Sequence, residues 1–308
     1  MFFSKKRKID FYNKNRENVK WKVPSLFCHD PFILLLSDYC KELGIKQPVE
    51  SVYGGVKSAW SGGRLSQIET IDEKYVSETI SEHNKRGIGC AFTFSNYKIN
   101  EEDLEDKQAN LMLKIAGEIS DNNFAIVSSE LLAEYIRDKY PKIKLIASII
   151  RPMYEYKKYD ETPEYYNNLC KRYDKVVVRP EFYFDRSFMK KLNQKNKIEL
   201  MTNLGCLQKC PLARRHYDLT VELDAGRETA LKHMCHKDMN KLESVYRTTY
   251  ISNEEIDDLI KMGFTHFKLK GRGYSDVKLM GLIGSYIFKP TGYFQHLESI
   301  IYEQLGPK

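Results

Sequence analysis

For a chain of 308 residues, cysteine, proline and tryptophan are scarce: 7, 10 and 2 residues respectively. An odd and sparse set of thiols is not the dense, paired framework of a small secreted scaffold. No Gly/Ser-rich or Pro-rich stretch marks a linker, and no segment repeats. Apolar runs are short. The stretch from Pro31 to Ser37 falls far below the roughly 20 residues that a membrane-spanning helix needs. The basic start, MFFSKKRKIDFY, has no apolar segment behind it and does not read as a signal peptide. Together these absences predict a cytoplasmic protein with reduced thiols and no membrane partner. Two catalytic signatures are also missing. No GxGxxG follows the first strand, which argues against dinucleotide binding, and no HExxH marks a zinc protease.

What is present suits a globular enzyme-sized domain. Hydrophobic residues make up 42% and charged residues 30%, which excludes disorder and collagen-like repeats. The 49 basic and 42 acidic side chains leave a net charge of +7, with the two signs interleaved. That balance does not by itself indicate nucleic-acid binding. The basic run Lys5 to Lys8 reads as a solvated tail, and the 21 tyrosines are too scattered to form an evident base-stacking platform. RNA is therefore a weak partner candidate.

Short strands rich in Val, Ile and Phe recur between amphipathic helices. The strands are expected at Glu50–Tyr53, Gly89–Phe94, Phe124–Val127, Leu145–Ile150, Val176–Arg179, Ile198–Thr202 and His266–Leu269. They lack polar alternation, as strands buried on both faces of a parallel sheet do. Helices are expected over Asp72–Arg86, Glu101–Ser120, Ser129–Tyr140 and Ser252–Met262. Ser129 is placed as an N-cap, and Ser252 with Glu255 has capping-box spacing. The pattern predicts an α/β fold, a single-domain TIM-like (β/α) barrel, with an open doubly wound sheet as the alternative. Seven legible strands leave room for an incomplete or distorted barrel. Residues 1–47 read as a basic N-terminal extension with a first helix. Residues 48–308 read as the barrel, with a Cys-rich loop at 203–240.

Chemistry in such a barrel sits where strands end. Those positions hold Ser61 and Arg64, Ser95 and Asn96, Ser128 and Ser129, Arg151, Arg179 to Glu181, Asn203 and Cys206, then Lys268, Lys270 and Arg272. Amide and cationic groups at these ends suit a polar or anionic small molecule. Arg64, Asn96, Asn203, Lys268 and Arg272 are the catalytic and substrate-binding candidates. The cysteines divide by position. Cys206 and Cys210 stand in CxxxC spacing past a strand, and Cys235 follows in a polar stretch that also holds His216, His233 and His236. Three thiols and nearby imidazoles suit zinc or an iron–sulfur cluster, with ordinary buried thiols as the remaining reading. The CxxxCxxC pattern of radical-SAM proteins is broken at Ala213. Cys40, Cys90 and Cys170 read as core, and Cys28 as a remote ligand candidate.

At these residues the sequence resembles a known family. A YxG turn with SGGR (Ser61 to Arg64), an Asn-Leu-Gly-Cys entry to the cysteines, CPLARRHY and FKLKGR follow one another as in peptidase family U-thirty-two, the collagenase-like proteins, over about residues 48 to 290. Phe267, Lys268, Gly271 and Arg272 match the family's F-K-(I/L)-E-G-R, with Lys270 in place of the acidic residue. The resemblance implies a TIM-like barrel with a 4Fe–4S cluster, for which Cys206, Cys210 and Cys235 match three ligand positions. The fourth cysteine has no counterpart: Trp60 or Ser61 stands at one family ligand position, so His216, His236 or a substrate would complete the cluster. It further implies oxygen-independent hydroxylation, in ubiquinone synthesis or on RNA bases, and a homodimer or a heterodimer with a paralogue. The runner-up readings are a peptidase-like hydrolase, an RNA-modifying protein, and a zinc-stabilised barrel without redox chemistry.

Overall fold

The computed structural model describes residues 11, 14–156, 159–224 and 248–289. Eight parallel strands close into a barrel in sequence order. They are β1 Lys20–Val23, β2 Val49–Gly54, β3 Gly89–Phe94, β4 Phe124–Val127, β5 Lys144–Ala147, β6 Lys175–Val177, β7 Ile198–Met201 and β8 His266–Lys268. β1 closes the ring by pairing with both β2 and β8. The barrel is complete, not truncated, and all seven expected strands are present. The eighth is β1, which lies inside the stretch read as an extension. The expected boundary at residue 48 therefore cuts through the barrel. The segment KWKV hid this strand because its lysines occupy the inward face, where an apolar side chain is expected.

Around the barrel run α1 Asp30–Glu42, α2 Glu73–Lys85, α3 Lys107–Ile119, α4 Glu130–Lys139, α5 Arg151–Glu155, α6 Pro163–Arg172, α7 Arg186–Lys190, α8 Ala213–Asp224, α9 Asn253–Lys261 and α10 Asp276–Tyr286. Caps fix their starts. Ser129 accepts from the Leu132 N–H, and Ser252 and Glu255 form a complete capping box. α2 starts at Asp72 and α3 at Asp106, each carboxylate accepting an N–H three residues on.

Outward-facing residues of the strands pack under the helices in one large apolar layer that includes Trp21, Phe92, Phe94 and Phe267. A second, smaller cluster fills the barrel interior: Tyr53, Ala91, Phe124, Ile126, Ile146, Val177 and Met201. Charge also enters this interior. Lys22 donates to Glu199 at 2.5 Å, and Glu50 bridges Lys175 and His266 near the N-terminal end. Outside the barrel, buried Arg16 ties the N-terminal segment down. Its guanidinium donates to the Tyr286 carbonyl at 2.5 Å, to Asn253 Oδ1 at 2.6 Å and to Asp257 Oδ1 at 2.9 Å. No helix among the described residues is long and apolar enough to cross a membrane.

A candidate active site under a crossing helix

The C-terminal mouth of the barrel is cationic. Lys268, the last residue of β8, carries its ammonium 4.3 Å from the centre of the Tyr53 ring. Tyr53 sits near the end of β2, buried, and donates to the Leu269 carbonyl at 2.9 Å. Arg272, half-buried on the loop after β8, places its guanidinium 5.7 Å from the same ring and donates to the Leu65 carbonyl at 3.1 Å. Arg64, half-buried on the loop after β2, packs 4.4 Å over the Tyr217 ring. Among the described residues, one carboxylate is buried among these groups. Glu199 is 1% exposed. Its Oε2 accepts from Lys22, and its Oε1 lies 3.9 Å from the Lys268 ammonium.

This crowding of like charge sets the ionisation of the cluster. Burial pushes the Lys268 ammonium down to about 7; Glu199 opposes that shift, while Lys22, Arg272 and Arg64 add to it. Burial also lowers the Arg272 guanidinium, to about 10, with Arg64 adding to the effect, so it stays cationic at neutral pH. Glu199 is held below the ordinary carboxylate range because Lys22, Lys268 and Lys175 outweigh its burial. His216 is pulled down by partial burial and by the charges of Arg64 and Lys270.

The mouth has a roof. α8 follows β7, yet its residues touch loops from the far side of the ring. Asp218 pairs with Lys98 at 2.7 Å, on the loop after β3, and accepts from Tyr154 of α5 at 3.0 Å. β3 stands four strands from β7 in a ring of eight, so α8 must cross the opening. The Gly-Gly turn after β2 makes room for it. Gly63 has φ +71°, and a Cβ there would lie 1.9 Å from the Thr220 carbonyl oxygen of α8. Stacked Tyr97 and Tyr154, with centroids 4.4 Å apart, add an aromatic rim that Arg214 of α8 also packs against.

The expected site residues separate into groups. Arg64, Lys268 and Arg272 come together at the mouth around Tyr53. Asn96 and Asn203 are used as fasteners. Asn96 donates to the Ala59 carbonyl at 2.8 Å, linking the loops after β2 and β3. Asn203 binds the Lys270 backbone through both its amide groups, at 2.6 and 2.9 Å, linking the loops after β7 and β8. Ser61 closes a turn onto the Val56 carbonyl, Trp60 is fully buried, and Arg151 pairs with Glu130 and Glu155. Arg179 lies between Glu161, at 2.8 Å, and Glu181, at 3.5 Å, above the Tyr159 ring. Tyr53, Lys22 and Glu199 were not singled out by sequence; the available signal for the two charges was a charged side chain between apolar neighbours in a short strand, Lys22 in KWKV and Glu199 in IELM.

Of the cysteines, the three expected in the core are found there. Cys40, Cys90 and Cys170 are buried, and burial raises their thiols, to about 12 for Cys40 and about 11 for Cys170. Cys206 is exposed and Cys210 half-buried on the loop after β7, where Tyr159 donates to the Cys210 carbonyl at 2.6 Å. Cys28 is half-buried, donates to the Ser25 carbonyl at 3.3 Å, and is pushed up to about 12 by burial and Asp30. His216 stands on α8. Cys235, His233 and His236 lie outside the described residues. Among the described residues no group of three His, Cys, Asp or Glu side chains is placed to hold a metal.

No known protein family's model matches the chain, and no curated protein matches it. Among solved structures, a GH5-4 broad specificity endoglucanase from an uncultured bacterium is similar over 99% of this chain and 98% of its own, at 10% identity and a TM-score of 0.29. Likeness at that level assigns no activity.

Proposed function

We propose that the chain is an enzyme that binds a small anionic substrate beneath α8, with Arg64 and Arg272 as the anion-binding pair. One observation carries this reading. The mouth sets Lys268 and Arg272 against one aromatic floor, Tyr53, with Arg64 close enough for its charge to act on both, while Glu199, the one carboxylate buried there among the described residues, is already engaged by Lys22. A carboxylate or phosphate supplies the missing negative charge, and a roofed, low-dielectric site strengthens that attraction. The α8 roof would exclude water and present Arg214 and Tyr217 to the upper face of the substrate.

The resemblance to family U-thirty-two adds the class of chemistry: an iron–sulfur redox enzyme, in particular an oxygen-independent hydroxylase. Cys206 and Cys210 fit that role chemically, since they are the two described thiols on the loop after β7, and Cys210 is not fully covered. With Cys235 they would hold the cluster. When bound, the cluster would supply electrons or a Lewis-acidic iron beside the mouth.

The test uses full-length protein purified without oxygen. Inorganic phosphate and citrate are expected to raise its melting temperature, and the paired change Arg64→Ala with Arg272→Ala is expected to remove that shift while leaving the circular dichroism spectrum intact. A ligand shift that survives the double change refutes the anion site. Iron content and a broad absorbance near ~400 nm report the cluster, and Cys206→Ala should abolish both. One tightly held zinc with no colour would replace the redox reading by the zinc-stabilised one.

A further inference from the structure

The cationic mouth contains one group that anion binding does not require. Lys268 is buried to 7% exposure, and among the described residues its ammonium makes no side-chain hydrogen bond. Glu199 Oε1 is buried, receives no hydrogen bond from the described residues, and lies 3.9 Å from the Lys268 nitrogen. The other charged and titratable groups facing this pair come from every neighbouring element. Lys22 lies on β1 and Lys175 on β6; Tyr53 and Arg64 lie on β2 and its loop, and Arg272 on the loop after β8. A purely electrostatic lysine would close a short ion pair with Glu199, as Lys22 does. Lys268 instead stands over the Tyr53 ring beneath Arg64 and Arg272.

We propose that Lys268 is an amine nucleophile that condenses with the carbonyl of a small oxo acid, whose carboxylate is held by Arg64 and Arg272. This rests on the anion-site reading and deepens it by naming the substrate class. The step is balanced. The neutral amine adds its lone pair to the carbonyl carbon, forming the C–N bond. Glu199 takes the proton that the nitrogen sheds and returns it to the former carbonyl oxygen, which gains a second proton from solvent and leaves as water; a protonated imine remains without any oxidant or reductant. Burial and three neighbouring cations keep a large share of Lys268 unprotonated at neutral pH, whereas an ordinary lysine near pKa ~10.4 is almost wholly protonated there.

The experiment traps the imine. Full-length protein is incubated at pH 7 with glyoxylate and cyanoborohydride, in parallel with uncharged propionaldehyde, and the modified lysines are mapped by peptide mass. Lys268 is expected to label at least about tenfold faster than surface lysines with glyoxylate. Lys268→Arg, which keeps the charge, should remove only that fast-labelled peptide. The outcomes separate the two readings. Preference for glyoxylate that disappears in Arg64→Ala with Arg272→Ala supports both. Fast labelling by both aldehydes alike supports the nucleophile and refutes the anion site. Labelling of Lys268 no faster than surface lysines overturns the nucleophile, whatever phosphate or citrate binding shows.

Discussion

Glu199 is the residue on which the barrel interior turns. It is buried among Lys22, Lys175 and Lys268, three cations from β1, β6 and β8, and it remains ionised because their attraction exceeds the cost of burying it. Removing one partner of a buried ionic group leaves uncompensated charge. Glu199→Gln should therefore destabilise the protein by about 3–5 kcal/mol, read by urea unfolding at pH 7. The change should also lower the affinity of Lys268 for its proton, since Glu199 is the group that favours the ammonium there. A loss below about 1 kcal/mol would mean that the lysines find other partners. This partnership could not be read from the sequence. Lys22 and Glu199 are 177 positions apart, and each is a charge flanked on both sides by apolar residues in a short strand.

At the scale of elements, the legible parts were those whose signal is local. Seven strands showed as apolar runs, and α4 and α9 announced their starts through Ser129 and Ser252. β1 was not legible because Lys22 faces inward. The Arg64, Lys268 and Arg272 group was foreseen because strand ends are where a barrel carries side chains to its mouth. Asn96 and Asn203 occupy the same kind of position, yet their amides bind backbone, a choice that depends on loops distant in sequence. The path of α8 was hidden as well: periodicity marks a helix but not that it crosses the opening. Gly63 tests that path. Gly63→Ala adds a left-handed backbone penalty of roughly 1–2 kcal/mol and a collision with the Thr220 carbonyl. Gly87 has a similar φ, +73°, with nothing within 4 Å of an added Cβ, so Gly87→Ala carries the backbone penalty alone. Trypsin should cut after Arg214 and Arg215 several-fold faster in Gly63→Ala than in Gly87→Ala. Equal rates would show that α8 does not rest on this turn.

For the molecule as a whole, the buried ionisable groups pull the pH dependence of stability in opposite directions. Lys268 has its folded pKa lowered to about 7, and Lys175 is lowered too. Between that value and the ordinary lysine pKa of ~10.4, the unfolded chain binds the proton that the folded chain has released, so stability rises with pH. The buried thiols act the other way. Cys28 and Cys40 are pushed up to about 12, so from near pH ~8.5 upward the unfolded chain sheds protons that the folded chain keeps, and stability falls. On the acid side, Glu50 and Glu199 are held low, and their contribution is lost once the pH drops below about 4. The expected profile climbs from pH 6.5 to about 8, turns over near 8.5 to 9, and collapses below about 4. Urea unfolding across this range checks it. Lys268→Met should flatten the climb between pH 6.5 and 8 and leave the alkaline fall in place, because that fall belongs to the buried thiols Cys28, Cys40, Cys90 and Cys170. An unchanged climb in Lys268→Met would show that the amine at the barrel mouth is an ordinary, fully charged lysine.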